Sequence, residues 1–222
     1  MTTVFKRVFA VVIIFTIGMT IRYFYVINNK EELPIIQPAD ILADGIVSDS
    51  LKNIKAGHVI RSFHLVNQNG DTITEKVFEN KIYVANFFFA TCKTICPNMN
   101  GNLKRVYDEY VGDPKVGFIS HSSMPSVDTP RVLKIYAERF NAQLPQWQFV
   151  TGNKKEIYDL ARNFYLAVKN KGTGDSADFI HTENLVLIDT HKRIRGYYDG
   201  TATSDVDRLI EDISILKEEN VR

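Results

Sequence analysis

The chain has 222 residues, enough for one full-sized domain and an appendage and too few for two. Hydrophobic residues at 45% and charged residues at 24% exclude a disordered, collagenous or multi-spanning membrane protein, and 2 cysteines are too few to staple a mini-domain. The formal charge of +1 argues against a dedicated nucleic-acid binder, yet it averages two unlike parts: the first thirty residues hold Lys6, Arg7, Arg22 and Lys30 with no acid, and the rest carries an excess of acid.

In chain order, residues 8–27 read VFAVVIIFTIGMTIRYFYVI, about the ~20 positions a helix needs to cross a bilayer. Arg22 alone interrupts the run; its side chain can reach the far interface, where Tyr23, Phe24 and Tyr25 form an aromatic belt. The stretch offers neither a small-x-small cleavage site nor a cysteine for lipidation, so residues 1–30 are predicted as a membrane anchor in preference to a cleaved signal. Its acid-free amino-terminal end is expected in the cytoplasm, which puts the rest of this single-pass chain on the outer (periplasmic or equivalent), oxidising side of the cell membrane. Residues 31–56, with Pro34, Pro38, Gly45 and weak periodicity, are expected to be a linker, and residues 57–222 the globular domain.

Within the domain, RSFHLV and DTITEKV flank Asn69-Gly70 and predict a hairpin. IYVANFFF, residues 82–89, is a continuous apolar run expected of a strand buried on both faces. Met99, Leu103, Val106, Tyr107 and Tyr110 then recur at helical spacing over 98–111, and Lys115 to Ser120 predicts a second buried strand. Asp128-Thr129-Pro130 starts a helix whose face carries Val132, Leu133, Tyr136 and Phe140. A strand at Trp147 to Val150 precedes a third helix, striped by Ile157, Leu160, Ala161 and Phe164. A polar loop, KNKGTGDSAD, leads into the strands NLVLIDT and RIRGYYDG, and Val206, Leu209, Ile210, Ile213 and Leu216 line a final amphipathic helix. Alternating strands and helices, closed by an antiparallel pair and a helix, predict an α/β thioredoxin-like sandwich with an amino-terminal hairpin extension.

Both cysteines fall in TCKTICP, where the buried strand gives way to a helix. A helix start offers unpaired N–H groups and a positive dipole end, which stabilise a thiolate, and Pro97 suits a first helical turn. If the segment is helical, Cys92 and Cys96 lie at i and i+4 on one face, roughly 5–6 Å apart at Cβ, close enough to share a metal or, with a small shift, to form a disulfide. A thioredoxin-type pair has two residues between its thiols and this one has three. Two thiolates leave a metal undercoordinated, and copper(I) accepts two sulfurs and an imidazole. Of the five histidines, His58 and His64 read as half-exposed strand residues and His191 as solvated in DTHKR. His121 ends the strand after the cysteine helix with Met124 nearby, and His181 precedes NLVLID, the segment that faces the cysteine turn in a thioredoxin-like fold. That placement puts His181 ahead of His121 as third ligand, with both open at this point.

Together, ANFFFATCKTICP, ISHSSMPSVDTPRVLKIYAERF, WQFVTG and HTENLVLIDTHKRIRGYYDGT resemble the SCO/SenC/PrrC family of membrane-anchored copper proteins, over roughly residues 55–215. The resemblance implies a thioredoxin-like fold that binds copper, as Cu(I), Cu(II) or both, through Cys92, Cys96 and His181. It also implies a role in assembling the binuclear copper centre of cytochrome c oxidase, as copper donor, as thiol reductant of the acceptor site, or both. The partners it implies are a copper-acceptor subunit of the oxidase and an upstream copper donor or reductant. Two stretches depart from the family pattern: Ile180 stands where many members carry an acid, and SHSSMPSVDTP replaces a Val-Asp-Pro stretch. The alternative function is a thiol–disulfide oxidoreductase in which Cys92 attacks and Cys96 resolves. A redox-sensing module needs the same two thiols.

Overall fold

The computed structural model describes residues 3–28, 32–43, 45–169, 172, 174, 175 and 178–220. The chain divides into two compact units, Met1–Glu32 and Leu33–Arg222. The first is helix α1, Thr3–Asn28, whose side chains are described only at Phe9 and over 11–22. Among the described residues no helix is long and apolar enough to cross a membrane, and the anchor expected over 8–27 lies in part outside them.

The second unit is built on one seven-stranded sheet in the order β2-β1-β5-β4-β3-β6-β7. Its centre is β3, Ile82–Phe88, buried at every position, with β4, Val116–Ser122, and β5, Trp147–Thr151, running parallel to it. A strand with helices over both faces has no wet side, which is why its sequence shows a run of apolar residues in place of alternation. On the other flank of β3, β6 (Asn184–Ile188) and β7 (Ile194–Asp199) pair antiparallel. The predicted hairpin is shorter than its sequence run: β1, Leu65–Asn67, and β2, Thr72–Ile73, extend the sheet beyond β5. Gly70 takes φ 89° in its turn, and the Asn67 side-chain oxygen accepts from the Asn69 and Asp71 amides.

The alternation of the strands divides the core in two. Ile82, Val84 and Phe88 face helices α2 (Ile95–Glu109), α3 (Pro130–Glu138) and α5 (Thr203–Glu219). Tyr83, Ala85 and Phe87 face the opposite layer, made of residues 60–65, α4 (Lys154–Asp159), its π-helical continuation Leu160–Phe164, and Tyr165–Val168. This is the layered arrangement expected of a thioredoxin-like sandwich. The π-helical turn cuts the predicted third helix short and swings Arg162 inward.

Within residues 31–56, read from the sequence as a linker, several side chains lie against the domain. Ile36 bridges to Ile194; Ile41, Ile46 and Leu51 pack on the second core cluster; and Arg195 donates to the carbonyls of Leu33 and Pro34. Scattered isoleucines with no helical or strand period cover a core as well as a periodic element does, and periodicity cannot reveal them.

Candidate metal centre

The site forms where β3 ends. Phe88 closes the strand, the Cys92 amide turns back to the Phe89 carbonyl at 3.2 Å, and α2 begins at Ile95. The helix starts three residues earlier than its apolar spacing indicates, so Cys96 lies within the first turn and Cys92 just outside it. Thr94 stands at the N-cap without a side-chain bond to the helix. Cys92 serves instead: its Sγ accepts from the Cys96 amide at 3.4 Å, so a sulfur occupies the acceptor position that helix starts reserve for an oxygen.

The two thiols occupy different surroundings. Cys92 is half-buried; burial works to raise its pKa, but the N–H groups of Cys96 and Thr94 and their side chains outweigh it and hold the thiol below its usual value. Cys96 is 2% exposed, and burial, helped by the neighbouring Cys92 sulfur and Asp128, pushes it up to about 12 despite a bond involving the Phe89 backbone. Beneath it runs a chain of buried polar groups. Trp147 Nε1 donates to Ser120, Ser120 to Asn86, Asn86 to Asn100 at 2.8 Å, and Asn100 to the Tyr136 hydroxyl at 3.1 Å. The chain locks α2 to the sheet and to α3, which fixes the depth of Cys96.

His181 completes the group. Its ligand nitrogen and the sulfurs of Cys92 and Cys96 all lie within 4.8 Å of one another. It comes from the segment before β6 and is exposed, flanked by Phe89 and Phe179 with ring centroids 6.4 Å away in each case. The backbone around it is held from both sides. Downstream, Thr182 and Asn184 both donate to the Ala167 carbonyl; upstream, Ile180 is buried and Asp178 is gripped by Arg162, whose Nη1 and Nη2 donate to its two carboxylate oxygens at 2.6 and 2.7 Å. That pair, the Gly174 amide and the positive field of Lys154 hold the Asp178 carboxyl below its usual range.

Two soft sulfurs and an imidazole suit a soft, low-coordinate cation such as copper(I). With metal–ligand lengths of ~2.0–2.3 Å, three donors around a shared ion stand roughly 3.5–4 Å apart. The group therefore needs only a slight closure to hold one.

The other histidines lie elsewhere. His121 pairs in register with Phe87, so its ring enters the second core cluster, on the face of the sheet away from Cys96. There it stacks on Phe87 at 4.7 Å, meets Tyr165 edge-on at 5.3 Å, has no partner for Nε2, and burial pushes its pKa down to about 3. His58 is buried against the Phe164 carbonyl outside any strand, and His64 and His191 are exposed. Sequence reasoning missed Arg162 and assigned Asp128 to a helix start. In the structure Thr129 caps α3, its Oγ1 accepting from the Val132 amide, and Asp128 turns inward.

The family model described as SCO1/SenC matches residues 52–217. The SCO1 protein homolog of Bacillus subtilis (strain 168) is 26% identical over 156 residues, covering 69% of this chain and 80% of the relative. Among solved structures, BsSco, a member of the Sco family of cytochrome c oxidase assembly proteins in which a disulfide switch was identified, aligns with TM-score 0.61 and 25% identity over 72% of this chain and 93% of its own. Copper-bound ScoI of Bradyrhizobium japonicum aligns with TM-score 0.57 and 25% identity over 71% of this chain and 99% of its own.

Proposed function

The chain belongs to the SCO1/SenC family, and from that premise we propose that it binds copper through Cys92, Cys96 and His181 and delivers it during assembly of the binuclear copper centre of cytochrome c oxidase. The observation that carries this reading is the convergence of two sulfurs and one imidazole nitrogen within 4.8 Å, from two distant parts of the chain, the β3–α2 turn and the segment before β6. Copper is cargo here, so the site must both hold and release it. Cys96, buried at the base, supplies the inner thiolate; Cys92 and the exposed His181 face outward, where an acceptor's own ligands replace them one at a time. Loading displaces the proton of Cys96, whose thiol is pushed up to about 12, so apparent affinity rises by about tenfold per pH unit through neutrality for that proton alone.

The reading includes the membrane. Residues 8–27 supply an apolar stretch of spanning length between basic residues, and the domain beyond it is tethered on the outer side of the membrane. Sedimentation of the full chain with membranes after alkaline washing tests the tether; release into the wash refutes it.

A second reading rests on the asymmetry of the two thiols. The Cys92 sulfur, lowered by N–H donors, attacks an acceptor disulfide and releases one acceptor thiolate; Cys96 then attacks the Cys92 sulfur, releases the second thiolate and leaves a Cys92–Cys96 disulfide. Two electrons pass to the acceptor, and an external dithiol must restore the pair. Anaerobic titration of the full-length protein with copper(I), with thiols counted by alkylation, separates the two. One copper per chain with both thiols protected supports delivery. No bound copper and a readily formed disulfide overturns it in favour of thiol exchange.

A further inference from the structure

Asp128 is fully buried, and among the described residues no lysine or arginine pairs with it. Only one of its oxygens is used: Oδ2 accepts from the Ala90 amide at 3.1 Å and from the Ser122 hydroxyl at 2.6 Å, while Oδ1 is buried without a partner. A lone buried carboxyl is costly to keep. Its two bonds extend a seam that otherwise ends at Phe88, whose carbonyl accepts from the Ser123 amide at 2.7 Å and the Ser123 hydroxyl at 3.1 Å, two residues further along to Ala90. Ala90 lies in the loop between β3 and α2, two residues before Cys92; Ser122 ends β4 and accepts in turn from the Met124 amide at 3.0 Å. Between Ser122 and Met124, the carbonyl of Ser123 accepts from the Tyr158 hydroxyl, which also reaches the Asp178 carbonyl, three residues before His181. Asp128 thus sits at the junction of the cysteine loop with the loop that leads toward the histidine.

We propose that Asp128 is a positioning residue of the copper site: through the two bonds on its Oδ2 it fixes the cysteine loop at Ala90 to the end of β4 and so sets where Cys92 stands relative to His181. The effect on copper rests on the function proposed above; the effect on the loop does not. Because a single oxygen makes both bonds, an amide in its place keeps them while removing the charge.

Asp128→Asn and Asp128→Ala in the full-length protein separate position from charge. Amide hydrogen exchange of the metal-free protein reads the loop directly: Ala90 is expected to exchange more than tenfold faster in Asp128→Ala and within about threefold of the parent in Asp128→Asn. Copper(I) affinity, measured by competition with bicinchoninate, is expected to fall by more than tenfold in Asp128→Ala and to stay within about threefold in Asp128→Asn. The Cu(II)–thiolate absorption should shift in Asp128→Ala alone, which a general loss of stability does not produce. If Asp128→Asn behaves as Asp128→Ala does, or if Ala90 stays protected in Asp128→Ala, the proposal is overturned. Should Asp128→Ala fail to fold, Ser122→Ala removes one of the two bonds and keeps the carboxyl; an unchanged Ala90 exchange rate and absorption then overturn it. Parent protein that binds no copper but shows the expected exchange pattern refutes the copper reading and leaves the positioning role standing.

Discussion

Two regions of this domain, on opposite faces of its central sheet, each hold a histidine among aromatic rings, and they behave as opposites. His181 is exposed on a loop, with Phe89 and Phe179 beside it and two sulfurs within 4.8 Å. His121 is closed in by Phe63, Phe87 and Tyr165, with an unbonded nitrogen and no thiol on its face of the sheet. Residue type is shared; access and neighbours decide the chemistry. A ligand must meet its metal and exchange it, which needs an open side and converging donors, whereas His121 fills a hydrophobic slot that tolerates it only when neutral.

The largest effect that tests this contrast is loss of either sulfur. Cys92→Ser or Cys96→Ser replaces a soft thiolate with a hydroxyl that stays protonated, and copper(I) affinity is expected to fall by more than ~10³-fold in competition with bicinchoninate. Retention of tight binding in either variant would place the copper elsewhere.

The second test addresses the closed region. His121 is held at about 3 against an ordinary value of 6.5, so the unfolded chain takes up a proton that the folded chain refuses as pH falls between those values. A histidine with a depressed folded pKa gives full stability above 6.5 and loses it toward 3; at pH 4 the loss is about 3 kcal/mol. His121→Phe keeps a ring in the aromatic slot and removes the proton site. Urea unfolding should therefore show the variant gaining about 3 kcal/mol on the parent at pH 4 relative to pH 7.5, with copper affinity unchanged. Parallel pH profiles would show that the ring takes up protons while folded.

Placing these two regions from sequence had mixed success for physical reasons. The cysteine turn was legible because a strand end, two thiols and a helix start adjoin in sequence, and His181 because it directly precedes an apolar strand. The face of His121 was not, since β3 is apolar throughout and shows no alternation; only the parallel register Phe87↔His121 fixes the side on which that ring lies. Asp128 and Arg162 were hidden for another reason. Each acts by a bond to a residue outside its own element, Asp128 to Ala90 and Arg162 to Asp178, and an acid before Thr-Pro or an arginine on an amphipathic helix reads as facing solvent until the π-turn and the Thr129 cap turn both inward.

A smaller effect is expected at His181, where the open region differs most from the closed one. His181→Ala removes one donor of three and leaves both sulfurs, so copper(I) binding should weaken by roughly 10²-fold while remaining measurable. The Cu(II) form, which prefers a nitrogen ligand more strongly, should lose more, and the two affinities measured on one preparation give the difference. Equal losses for the two oxidation states would mean that the imidazole adds contact without selecting between them.

The smallest effect asks how the open region is kept in place without being buried. Arg162 and Asp178 form a bidentate pair with side chains only 6% and 8% exposed, three residues before His181. Arg162→Met fills similar space but frees the carboxylate, and the backbone at 178–180, leading into His181, gains freedom that copper binding must then remove, so affinity should drop by about tenfold with both thiols still reactive. The Asp178 carboxyl lies below its usual 3.8, so the clamp persists above that value and is lost only as pH falls through the lowered one; neutral pH is the correct condition for the measurement. If the clamp acts through the imidazole, its removal matters only while the imidazole is there. The double variant Arg162→Met/His181→Ala should bind copper(I) as His181→Ala does, giving a coupling equal to the whole effect of the single change. Additive losses would instead mean that Arg162 supports the cysteine turn, and the two sides of the open region would then share one support.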